Sequence, residues 1–171
     1  SSFKTNASDV NSPPSINEGW EVGVKLEPVD WAEARIAYWQ QSATNESSRI
    51  LGGIQNDSES IGSTDRQGVD VQVQVQPIEP VRLWAAYSIQ EAIIKSPPAS
   101  SPLLAGKQIK NVPDYVFSGG IDYQILPELK TSLWTTGQGD YYPNNANTLP
   151  QFGEYALLNL DIGYQVNKFV D

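Results

Sequence analysis

The chain has 171 residues, enough for one ordinary domain, and contains no Cys and no His. A disulfide scaffold, a thiolate or imidazole metal site and any Cys- or His-based catalytic triad are therefore excluded within it. Eleven basic against 20 acidic residues give a net charge of −9, the wrong sign for neutralising phosphates, so nucleic acid is not an expected partner. No uncharged apolar run approaches the roughly 20 residues of a membrane helix, which leaves a membrane β-barrel open. Thirteen Gly, 12 Pro and 18% charged residues suit a turn-rich, all-β chain. Ser1 opens a polar stretch without the basic and apolar regions of a signal peptide.

Period-two patterning runs along the whole chain. Trp20, Val22, Val24 and Leu26 oppose Glu21, Gly23, Lys25 and Glu27; Ala32, Ala34, Ile36 and Tyr38 oppose Glu33, Arg35 and Ala37. From Val69 to Gln76, four valines lie on one face and Asp70, Gln72, Gln74 and Gln76 on the other, which a helix would scatter around its circumference. Val81 to Gln90, Tyr115 to Gln124, Leu129 to Thr135 and Leu158 to Val166 alternate in the same way. About seven strands are expected, with an apolar face turned outward, a polar face turned inward and no conventional core.

The connections alternate too. Pro28-Val29-Asp30, Pro77-Ile78-Glu79-Pro80 and Leu126-Pro127-Glu128 read as tight turns, whereas residues 41–49, 95–107 and 137–152 read as long polar loops. Residues 1–17 read as the remnant of a further long loop, and 18–167 as the strand region. Residues 50–76 then form one long descending strand. Short turns at one end and long loops at the other are the mark of an outer-membrane barrel, and a soluble sandwich has no reason to sort its loops this way. Tyr115 and Tyr123, on one face of one strand, stand roughly 20 Å apart along a membrane normal, about the height of an apolar band between aromatic girdles.

Five segments resemble the C-terminal part of the barrel of a TonB-dependent outer-membrane receptor, most like the siderophore-receptor group. They are Asn17 to Lys25, Ile61 to Asp70, Lys110 to Tyr115, Gly137 to Tyr142 and Glu154 to Leu160. Asp70 stands where the family pattern usually has Glu, and Asp114 where it commonly has His. The resemblance implies an antiparallel transmembrane β-barrel segment, about seven strands of a roughly 22-stranded barrel, spanning residues 1–171. It places the plug domain, the TonB box and two last strands outside these residues.

The resemblance also implies a role: TonB-dependent uptake of a ferric siderophore across the bacterial outer membrane. The partners are then the siderophore or a similar small ligand, the receptor's own plug and remaining barrel strands, the TonB complex and outer-membrane lipid. Strand parity nominates Trp39, Gln90, Trp134, Gln138 and Asp140 as upper-lumen ligand contacts, with Tyr141 and Tyr142 on the adjoining loop, because aromatic faces and amides suit aryl and hydrogen-bonding groups. Lys25, Arg35, Asp70, Gln72, Gln74, Arg82, Lys130 and Asp161 form a polar wall toward the plug. Cobalamin, another metal chelate or an oligosaccharide is the alternative cargo, and a soluble, secreted β-sandwich binding module the alternative of another class. The many carboxylates select no catalytic pair, so no enzyme activity, cofactor or resident metal is expected. Asp57, Glu59 and Asp140 have oxygen ligands for Ca²⁺ but no EF-hand spacing, and the sequons at Asn6, Asn45 and Asn56 fall in loop-like sequence.

Overall fold

The computed structural model describes residues 14–49 and 58–166. They form one antiparallel sheet in which every strand pairs with its sequence neighbour: β1 (Ile16–Val29), β2 (Ala32–Arg49), β3 (Ser58–Ile78), β4 (Val81–Ser96), β5 (Tyr115–Leu126), β6 (Leu129–Gln138) and β7 (Tyr155–Tyr164). The only helical element among the described residues is a 3₁₀ turn, Pro102–Leu104. No helix there is long and apolar enough to cross a membrane.

The alternation fixes the faces as expected. Val22, Tyr38, Val69 and Ile89 pair in one row across β1 to β4 and Tyr115 continues it on β5, so all five share the apolar face. One rung toward the long loops the same face carries Trp20, Gln40, Gln67 and Glu91. The switch is abrupt: Tyr38 OH donates to Gln67 Oε1 at 3.0 Å, and Gln67 Nε2 donates to Glu91 Oε2 at 2.9 Å. Trp20 packs on Tyr38 (5.4 Å between ring centroids) and Tyr87 on Tyr115 (6.1 Å) along this border. Apolar side chains below it remain exposed, Leu160 and Ile162 by more than 60%, as a surface that meets lipid requires.

At the short-turn end the three hairpins share one device. Asp30-Trp31, Glu79-Pro80 and Pro127-Glu128 close them, and each closure is preceded by a register shift of one residue. The turn carbonyls of Trp31, Pro80 and Glu128 accept the N–H of Gln76, Gln124 and Gln165, each at 2.8 Å, which stitches successive hairpins together. The first two turns thus begin two residues beyond Pro28 and Pro77, which remain in strand, whereas Pro127 lies in the third.

At the other end several expectations are corrected. Residues 41–49 are not a loop: β2 continues to Arg49, paired with β3 as far as Ser58. Polar alternation such as Gln40-Gln41-Ser42 and Asn45-Glu46-Ser47 reads as loop but is a strand wet on one face. Ile16 and Asn17 belong to β1 rather than to a loop remnant, Lys95 and Ser96 to β4, and Gly137 and Gln138 to β6. β7 starts at Tyr155 and ends at Tyr164. Of the descending strand expected over 50–76, residues 50–57 lie outside the described ones.

A small core exists as well. Ile61, Ala92, Ile94 and Ile109 are buried, with Leu104 and Val112 packed against them. Ala92 and Ile94 have the parity of the inward face, and residues 106–109 pair along the upper end of β4, which brings Ile109 beside them. The chain turns there at Gly62, which has φ of +76° and faces Ser96 so closely that a Cβ would collide with its carbonyl oxygen.

Candidate ligand-facing wall

Antiparallel pairing places opposite residues on the same face, so the inward face can be read row by row. Its upper row runs Glu21, Trp39, Gly68, Gln90 across β1 to β4. Trp39 lies over Gly68: a Cβ added there would sit 2.7 Å from Trp39 Cζ2, so only glycine lets the indole lie flat on the strand. Gln90 Nε2 donates to the Pro113 carbonyl at 3.0 Å, and Gln90 N to the Asp114 carbonyl at 2.8 Å. Trp39 and Gln90 are thus brought together across a glycine and held by the scaffold.

The other ligand candidates sit elsewhere on the wall. Trp134 pairs with Gly120 and Asn159, inward but four residues deeper than Gln138 on the same strand. Gln138 Nε2 donates to the Gly153 carbonyl at 3.2 Å. Tyr141 exchanges both backbone hydrogen bonds with Phe152 (3.0 and 3.1 Å), and their rings pack at 5.1 Å, which closes the 139–154 loop on itself. The Tyr142 carbonyl accepts from Asn111 N at 2.9 Å. Asp140 is half-buried at the mouth of that loop.

The wall toward the short turns is polar and charge-paired. Lys25 contacts Glu27 (2.5 Å) and Glu33 (3.0 Å), and Arg35 contacts Glu33 (2.7 Å). Arg82 grips Asp122 through Nε (2.8 Å) and Nη2 (2.6 Å), with Ser132 Oγ donating to the same carboxylate at 2.7 Å. Asp70 accepts from Ser88. Gln72 pairs with Arg35 and Ala86, Gln74 with Glu33 and Trp84, and Asp161 with Ser132. The Lys130 stem lies over Gly163.

Two constellations escaped the sequence reading. Beyond the upper row, Arg66 binds both carboxylate oxygens of Glu46 (Nη2–Oε1 2.5 Å, Nη1–Oε2 3.1 Å) and Thr64 Oγ1 (2.9 Å), while Thr64 also donates to Glu46. Burial by itself would raise the Glu46 carboxyl; the hydrogen bonds from Arg66 and Thr64 and the Arg66 charge outweigh it and hold the group below its ordinary range. Plain alternation from Trp39 would turn Glu46 outward; the bulge at Thr44 and Asn45 brings it to the face of Arg66, and no local pattern marks that bulge.

The second constellation ties loops together through asparagines. Asn147 takes Gln108 N (2.8 Å) and gives to Gln108 O (2.9 Å), imitating a β-rung with its side chain. Buried Asn145 accepts from Lys110 N (3.1 Å) and donates to Glu59 Oε1 (2.8 Å), and Lys110 Nζ reaches the Arg49 carbonyl. Glu59 is therefore engaged by protein groups, and among the described residues no acidic cluster could hold a metal ion. Asn45 Nδ2 donates to the Pro14 carbonyl at 3.4 Å; Asn6, Asn56 and Asp57 lie outside the described residues.

The family of this sheet is decided by a model of TonB-dependent receptor-like β-barrels, which matches residues 3–171. The chain belongs to that family. Among solved structures it is similar to the siderophore receptor PiuA of Acinetobacter baumannii, at TM-score 0.73 and 20% identity, covering 96% of this chain and 24% of that one. It is also similar to the ferric yersiniabactin uptake receptor FyuA of Yersinia pestis (TM-score 0.70, 18% identity, 90% and 23% covered). The ferric enterobactin receptor of Pseudomonas aeruginosa in complex with enterobactin matches at TM-score 0.67 and 15% identity, with 90% and 24% covered. No curated protein sequence matches. The chain thus spans about a quarter of these receptors' length. It is a piece of a transmembrane β-barrel, and TonB-dependent receptor barrels are outer-membrane proteins. The family match replaces the alternative of a soluble sandwich, and the described residues form one sheet whose apolar face none of them covers.

Proposed function

We propose that the chain is part of the wall of an outer-membrane receptor that takes up a ferric siderophore in a TonB-dependent way. The observation that carries this reading is the sorting of the sheet, apolar and aromatic outside and polar inside, in a chain whose structural neighbours are siderophore receptors. The long-loop end faces outward from the cell and holds the ligand row. The charge-paired wall below it faces the plug, and the energy-coupling parts reside in the rest of the receptor. On this reading the wall's role is binding and conduction.

The test is binding of a panel of ferric siderophores to the full-length receptor in detergent, read by quenching of tryptophan fluorescence and by calorimetry. At least one chelate should bind in the micromolar range or tighter, roughly −8 kcal/mol or better. Binding of none of them, with binding of cobalamin or an oligosaccharide, would change the cargo while leaving the fold.

A further inference from the structure

The charge of the upper row narrows the cargo, on the reading that this row meets a metal chelate. From β1 to β4 the inward row offers a carboxylate, an indole, a glycine and an amide, and it ends against Asp114, whose carbonyl holds Gln90 N. Glu21 and Asp114 are both exposed, the Asp114 carboxylate accepting from Gln108 Nε2, and Asp140 adds a third carboxylate two residues past Gln138.

The nearest cations are turned to other uses. Arg66 is spent on both oxygens of Glu46. The Lys110 side chain is only 8% exposed, its ammonium on the Arg49 carbonyl and 3.9 Å from Glu59. Lys95 binds Asp65 at 2.7 Å on the outward face. Lys107 stands level with Ile94, about 13 Å up the strand from Gln90, and Arg49 lies about 30 Å up β2 from Trp39. Among the described residues, a polyanionic chelate in this row would meet carboxylates, while the inward cations nearest it are paired: Arg66 with Glu46 above, and Lys25 and Arg35 with Glu33 about 13 Å below. An indole beside a carboxylate attracts a cation instead, and the amides of Gln90 and Gln138 serve neutral carbonyl and N–H groups.

We infer that this side of the receptor's mouth selects a metal chelate without net negative charge. Three hydroxamates neutralise Fe³⁺, and a pendant amine makes such a complex cationic; three catecholates leave it trianionic. The full-length receptor should therefore bind a neutral or monocationic ferric trihydroxamate at least about tenfold more tightly than a ferric tris-catecholate at low salt. Added salt should tighten the trianion's binding by screening repulsion. In Glu21→Lys/Asp140→Lys the ratio should close by about tenfold, with the heat-modifiable gel mobility and thermal melt of the barrel showing that the receptor is intact.

A tris-catecholate that binds tightest, or whose binding weakens with salt, would overturn the inference and leave the siderophore reading standing. So would an unchanged ratio in the double variant. If that variant loses both ligands, the salt series on the unaltered receptor decides. Binding of no ferric complex at all would overturn the siderophore reading, and this inference with it.

Discussion

The lower band of the sheet and its crown are made of the same strands but held by different means. In the band, the period-two pattern, the three bulged turns and the paired charges all repeat from hairpin to hairpin, and each contact joins neighbours. In the crown, beyond the Trp39–Gly68–Gln90 row, contacts join distant segments: Asn145 to Glu59, Lys110 to Arg49, Asn147 to Gln108. The band is kept by what surrounds it, lipid outside and polar groups inside. The crown is kept by satisfying its own polar groups and by one small buried cluster. A wall can therefore hold its lower geometry constant while its upper surface is rebuilt for a different ligand.

The largest effect should come from setting the band against its environment. Val71→Arg puts a charge on the apolar face and should cost about 2–4 kcal/mol, whereas Gln72→Arg, one residue on and inward, should cost close to nothing. Urea titration of the full-length receptor folded into lipid vesicles measures both. Equal costs would mean that the faces are assigned wrongly.

Next in size is Gly62→Val, which forces a branched side chain into a positive-φ site against Ser96 and should cost about 1–3 kcal/mol. The damage should stay in the crown: amide exchange should quicken around Ile61, Ile94 and Ile109 and be unchanged in β5 and β6 below Gln138. Asn145→Ala leaves Lys110 N and Glu59 without their partner and should cost roughly 1–2 kcal/mol, with exchange quickening at both 107–112 and 141–148. Quickening in only one loop would show that the two are not joined through this residue.

The smallest expected effect is acid sensitivity. Glu46 has a folded pKa below its ordinary value of 4.5, so its contribution is fully present above that value and is lost as pH falls through the folded pKa. The crown should loosen below about pH 4.5 by on the order of 1 kcal/mol or less, and Glu46→Gln should remove that dependence while costing stability at neutral pH. A pH profile of crown amide exchange in the two proteins checks it.

The band was legible in the sequence because burial on one side only writes an alternation, and the valines at 69, 71, 73 and 75 admit no other period. Face membership of Trp39, Gln90, Trp134 and Gln138 followed from the same rule. The crown was not legible, because polar residues on the outer face remove the apolar mark: Gln41 to Arg49 reads as loop although all of it but Thr44 and Asn45 pairs with β3. Parity also says which way a side chain points but not what already occupies it. Tyr141 pairs with Phe152, and Gln90 with a loop carbonyl, through contacts between segments that no local pattern announces. The Asp114 departure from the family pattern was visible at once; its place at the end of an acidic row was not.

The asparagine ties imply an order in time. Asn145 and Glu59 are 86 residues apart, and Lys110 and Arg49 are 61. Each hairpin closes a turn of two residues, so its loop entropy is small and it can zip early. The Lys110–Arg49 tie can close only when three strands, and the Asn145–Glu59 tie only when four, already stand side by side in register. Their formation therefore marks the end of assembly, and a receptor caught with β2 and β3 paired but Asn145 still exposed would be one whose wall had been raised and whose rim had yet to set.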